Sequence, residues 1–153
     1  MSNSRRAICF LVIASLTSCA PPTSFPPPIP SPDWNWTIAL VKSGGFAGVD
    51  LRVRAESTGE LGASDVHSGR EVRKPLSASD VRELEALLAV LSLRRPGGAP
   101  SACADCFLYD LEITSRGRTS YWRGDDTTLE ASGAADLIRL LERLRDAALS
   151  SAN

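Results

Sequence analysis

Few side chains in this sequence are placed to do chemistry, and the clearest are two cysteines. Cys103 and Cys106 stand in Ala102-Cys103-Ala104-Asp105-Cys106-Phe107. Two thiols at this spacing suit a disulfide closing a tight loop, a thiol redox pair, or half of a zinc site. A redox pair wants a helix N-terminus after a strand, where the dipole lowers the thiol pKa, whereas here a strand pattern follows from Phe107. Zinc would need two further ligands, and the only histidine is His67, in the turn-like Asp65-Val66-His67-Ser68-Gly69, where solvent exposure is expected. The disulfide is therefore the first expectation, with redox work and zinc behind it. No nucleophile elbow, phosphate loop or paired metal-ligand motif is present, so no catalytic residue, metal or cofactor is expected and the chain does not read as an enzyme. The remaining candidate is Ser43-Gly44-Gly45-Phe46-Ala47-Gly48. Its glycines permit positive φ or a bulge, which would either tuck Phe46 into the core or hold it out on a turn. The run lacks the spacing of a dinucleotide fingerprint and has no helix behind it.

The N-terminal fifth reads as address and spacer. Arg5 and Arg6 precede the short apolar run Ala7 to Leu16, the pattern of an export signal covering residues 1–18. Leu16-Thr17-Ser18-Cys19 resembles the bacterial lipobox, in which cleavage before the cysteine leaves a lipidated N-terminus. On that reading Cys19 anchors the chain to the membrane of a bacterial envelope, and with Ala20 after it the resemblance to envelope lipoproteins implies the outer membrane where the host has one. More than one acyl chain, at about 0.8 kcal/mol per buried methylene, makes such anchoring stable. Residues 19–32 then carry seven prolines, at 21, 22, 26, 27, 28, 30 and 32. Proline fixes φ and favours extended polyproline II, a semi-rigid spacer with a reach on the order of 40 Å.

Residues 33–153 suffice for one domain with one core. Without Arg5 and Arg6, 15 basic and 18 acidic residues leave a net charge of −3, which offers nucleic acid no basic footprint. Nothing in the pattern calls for an oligomer, and a monomer is expected.

Period-two alternation identifies the strands. Val49, Leu51, Val53 and Ala55 alternate with Asp50, Arg52, Arg54 and Glu56, and Trp36, Ile38 and Leu40 alternate with Thr37, Ala39 and Val41. The glycine run between them makes a hairpin. Glu60 to Val66 and Glu71 to Leu76 are weaker strands, expected at an edge or partly irregular. Ser77 and Asp80 form an N-terminal cap, and Val81, Leu84, Leu87, Leu88 and Leu91 give the following helix an apolar stripe. Arg94 to Pro100 is expected to end it. Phe107, Tyr109, Leu111 and Ile113 begin a second hairpin that returns through Arg118 to Arg123. A last helix, starting between Thr128 and Ser132, carries Leu137, Leu140, Leu141 and Leu144. Pairing of Asp110 and Glu112 with Arg52 and Arg54 is expected if their strands are neighbours. The simplest packing is α+β, a mostly antiparallel sheet with two helices on one face.

The glycine run between an apolar strand and a charged alternating strand, followed by Leu76-Ser77-x-x-Asp80 at a helix start, is similar to the emfourin family over roughly residues 35–148. Emfourin-type proteins are small inhibitors of thermolysin-like (protealysin-type) zinc metalloproteases. The resemblance implies a membrane-anchored inhibitor that occludes a protease active site without covalent chemistry. It nominates Gly44, Gly45, Phe46, Ala47 and Gly48 as the contact, with Phe46 offered to the apolar primed-side pocket. The alternative is an envelope lipoprotein that binds a partner through its solvated sheet face and inhibits nothing.

Overall fold

A computed structural model describes residues 35–94 and 103–151. The expected export signal, the lipid attachment at Cys19, the proline-rich spacer and most of the Arg94 to Pro100 stretch lie outside the described residues.

Six strands form one antiparallel sheet: β1 (Trp36–Gly44), β2 (Val49–Glu56), β3 (Glu60–Asp65), β4 (Arg70–Pro75), β5 (Phe107–Ser115) and β6 (Arg118–Asp125). Their order across the sheet is β4-β3-β2-β1-β5-β6. Alternation puts Trp36, Ile38, Leu40, Val53, Ala55, Tyr109, Leu111, Ile113 and Trp122 on one face, and all are buried. That face is covered by helices. Helix α3 (Ala135–Ser150) packs across β2, β3 and β4, and α1 (Ala78–Val90) packs against α3 and adds Leu84 to the same core. The architecture is thus α+β with an antiparallel sheet. Among the described residues no helix is long and apolar enough to cross a membrane.

Local chemistry explains the element ends. Ser77 Oγ accepts from the Asp80 amide (3.2 Å) and Asp80 accepts from the Ser77 amide (3.3 Å), a reciprocal cap on α1. In the β5–β6 hairpin Ser115 pairs with Arg118, so Arg116 and Gly117 are the whole loop. Both have positive φ, 52° and 72°, which matches the right-handed twist of the flanking strands.

Four expectations need correction. Among the described residues the helices number three, because a short α2 (Asp126–Leu129) follows β6 directly. Asp125 accepts from the amides of Thr127 and Thr128 (3.0 and 3.1 Å) and so caps a separate turn of helix. A 3-10 turn (Glu130–Ser132) and Gly133, with φ 78°, then redirect the chain before α3 begins. Helix α1 stops at Val90, before Arg94, with Leu91 already extended and no basic residue in its last turn. Strand β3 is a regular interior strand with Leu61 and Ala63 buried, so of these two strands β4 alone lies at an edge; the place of β3 is set by pairing with β2 and β4 rather than by the propensities of Gly62 and Ala63. Finally, β1 separates β2 from β5, so Arg52 and Arg54 do not meet Asp110 and Glu112 within the chain. Arg52 instead pairs with Asp50 and Arg54 with Glu56, both at 2.9 Å, while Arg123 takes Asp110.

Candidate functional site

The glycine run forms the turn of the β1–β2 hairpin. Gly44 pairs with Val49 as the last ladder step, and the Gly48 amide donates to the Gly45 carbonyl (3.0 Å), closing a four-residue turn with Phe46 and Ala47 at its centre. Gly44, Gly45 and Gly48 all have positive φ (89°, 69° and 61°). Gly45 is also glycine for want of space, since a Cβ there would stand 2.5 Å from Cε1 of Phe107. The place under the turn is therefore filled by Phe107. Phe46 lies past the final cross-strand pair, where there is no core to enter, and is 97% exposed. The expectation that it tucks into the core is overturned.

The turn is held from behind. Cys103 and Cys106 are joined by a disulfide, with Cα atoms 5.5 Å apart, and the Cys106 carbonyl accepts from the Gly45 amide (3.2 Å). The chain then enters β5 at Phe107, whose amide donates to Asp126 Oδ2 (2.8 Å). Tyr109 donates its hydroxyl to the other oxygen of Asp126 (2.9 Å). Burial, and then the hydrogen bond to Asp126, push the Tyr109 phenol above its ordinary range. Lys42, one step below the turn on the covered face, sits 4.1 Å from the Phe107 ring centre and 2.7 Å from Glu142 on α3. The ammonium is attracted by the ring face and by the carboxylate at once. Sheet, disulfide loop, α2 and α3 thus converge on the base of the turn, and its tip carries one free aromatic ring.

Two more apolar side chains crown the same end of the sheet. Leu108, beside Ser43 on the uncovered face, is 49% exposed, and Val66, whose amide donates to the Asp50 carbonyl (3.0 Å), is 51% exposed. His67 is exposed in the adjoining turn, where Asp65 accepts from the amides of His67 and Ser68 and from the Ser68 hydroxyl. Those bonds, chiefly the hydroxyl one, hold the Asp65 carboxyl below its ordinary range. Among the described residues no group of three or more His, Cys, Asp or Glu side chains is placed to hold a metal ion.

The structure thus gathers Gly44, Gly45, Phe46, Ala47 and Gly48 into one turn and brings the Cys103–Cys106 loop up behind it. Reasoning from sequence missed the bracing set, Lys42, Phe107, Asp126 and Glu142. The spacing Asp125-x-x-Thr128 was a readable sign of the cap that carries Asp126; the approach of Glu142 to Lys42 across 100 residues left no local sign. No protein-family model and no curated protein matches this chain.

Proposed function

We propose that the domain is a membrane-anchored protein inhibitor of a thermolysin-like zinc metalloprotease, with the Gly44–Gly48 turn as its contact and Phe46 as the group offered to the apolar primed-side pocket. The observation that carries this reading is an almost fully exposed phenylalanine on a turn braced from three sides. An exposed aromatic ring has an unfavourable resting place in water, and a pre-ordered turn loses little conformational entropy when the ring is buried by a partner. The positive-φ glycines bring backbone close to whatever meets the turn, with Ala47 adding little bulk. Inhibition on this reading is occlusion: the turn fills the cleft and no bond is made or broken. Leu108 and Val66 would widen the apolar contact around the ring.

The direction of the chain agrees with a tether through Cys19 at the outer membrane. The domain begins at Trp36, which pairs with Ser115 at the end of the sheet opposite the turn. Eight steps at about 3.3 Å place the turn roughly 26 Å from that end. Titration of the chain against a purified thermolysin-like protease, with Phe46→Ala alongside, tests the reading.

A second reading has its own observation. Among the described residues nothing covers the sheet face away from the helices, which has shallow depressions of about 350 and 450 Å³ that share Ala39 and Val41 on their floor. That favours an envelope lipoprotein that binds a partner through this face and inhibits nothing.

A further inference from the structure

The uncovered face has an internal pattern that identifies what fits it. Reading the strand register across the five strands from β3 to β6, one row runs Gly62, Arg54, Ala39, Glu112, Tyr121 and the next runs Ser64, Arg52, Val41, Asp110, Arg123, with Arg73 and Glu71 of β4 lying beyond their ends. Both rows are centred on β1 and both are antisymmetric about it. One step to one side is an arginine, and one step to the other side is a carboxylate. Two steps out, a glycine or serine on one side stands against a tyrosine or arginine on the other. Tyr121 is 73% exposed, and the space where Gly62 would carry a side chain is open.

We infer that this face pairs with the same face of a second copy of the chain, about a two-fold axis running along β1. Rotation about such an axis exchanges left and right within each row and leaves the level along the strand unchanged. Arg52 and Arg54 of each copy then lie over Asp110 and Glu112 of the other, and Tyr121 stands over the gap at Gly62. Ala39 and Val41, small and half-buried, meet their own copies on the axis, so that the two sheets approach to the usual spacing of about 10 Å. A two-fold axis across the strands would instead set arginine on arginine, and the charge pattern selects against it. The present partners of these charges are no obstacle. Arg52–Asp50 and Arg54–Glu56 on single strands, and Arg123–Asp110 between β5 and β6, are exposed pairs, worth little on their own. The five strands from β3 to β6, about 4.8 Å apart and up to some 26 Å long, offer on the order of 600 Å² per copy, near the low end of specific interfaces. The chosen axis also sets both Phe46 turns at one end and both Trp36 residues at the other, so two tethered copies pair without either reversing its direction.

The test uses the full chain in detergent, with its self-association followed by light scattering at low salt and crosslinks located by mass spectrometry. The expected result is a dimer that weakens as salt is added, weakens at least tenfold in Arg54→Glu, and recovers in the double variant Arg54→Glu, Glu112→Arg. A short bismaleimide reagent is expected to join Val41→Cys to its own copy, since facing Cα atoms about 10 Å apart are too far for a direct disulfide. It should also join Gly62→Cys to Tyr121→Cys when the two singly substituted chains are mixed, while neither of those two joins to itself. A chain that stays monomeric at about 100 μM, well above the affinities usual for interfaces of standard size, overturns the inference. So does a dimer indifferent to both charge changes, or one in which Tyr121→Cys joins to itself, since that places the axis across the strands.

Discussion

Replacing Gly45 by alanine changes two things at the base of the turn, and replacing Gly48 changes only one of them. Both residues have positive φ, 69° and 61°. An added Cβ makes that conformation unfavourable by about 1–2 kcal/mol for any ordinary side chain. At Gly48 nothing else follows, because no atom lies within 4 Å of the new methyl. At Gly45 the methyl falls 2.5 Å from Cε1 of Phe107, and the ring has little freedom to retreat, with Lys42 4.1 Å from its centre and its amide tied to Asp126. Overpacking of this kind costs about 1–3 kcal/mol. Gly45→Ala is therefore expected to lose roughly 2–5 kcal/mol and Gly48→Ala roughly 1–2. Urea unfolding followed by tryptophan fluorescence reads both. With a slope of about 1.5 kcal/mol per M, the two midpoints should differ by roughly 1 M. Equal midpoints would refute the claim that Phe107 fills the space under the turn. A larger loss at Gly48 would refute the assignment of which glycine is crowded.

Three further outcomes are expected. Reduction of the Cys103–Cys106 bond should cost at most about 2 kcal/mol, since the loop is short, yet it should speed hydrogen exchange at the Gly45 amide, which is held by the Cys106 carbonyl; unchanged exchange there would mean that strand pairing alone holds the turn. Tyr109 stays protonated in the fold above its ordinary value of 10.0, while the unfolded chain ionises there. Stability from this group is complete below about pH 10 and falls above it by up to about 1.4 kcal/mol per pH unit, a decline that Tyr109→Phe should lack in denaturant titrations across that range. Gly133→Ala combines φ 78° with a Cβ 2.4 Å from the Ser92 carbonyl oxygen, and should lose at least about 2 kcal/mol in the same titration; a loss under about 1 kcal/mol would show that the contact between the α1 exit and the turn before α3 gives way easily.

Alternation made both hairpins legible, because one buried face forces apolar residues to every second position, as at Ile38 and Leu40 or Leu111 and Ile113. The α1 cap was legible for a local reason, the reciprocal bonds of Ser77 and Asp80. Strand neighbours were not. That β1 lies between β2 and β5 is decided by pairing over some 70 residues of chain, and the outward charges look equally ready to pair in either order. The break at Gly133 was hidden by an apolar stripe that continues past it. The direction of Phe46 was hidden for a related reason: period two says nothing about a residue in the centre of a turn, and the vacancy it might have filled belongs to Phe107, far along the chain.

Titration of the folded chain against a thermolysin-like zinc protease tests the inhibitor proposal most directly, with Phe46→Ala measured beside it. Burying one phenylalanine is worth about 1.5–3 kcal/mol, so the variant should inhibit roughly 10- to 100-fold more weakly at unchanged stability. Inhibition that survives Phe46→Ala intact would remove the turn as the contact, and a folded chain that inhibits none of several such proteases would contradict the proposal itself.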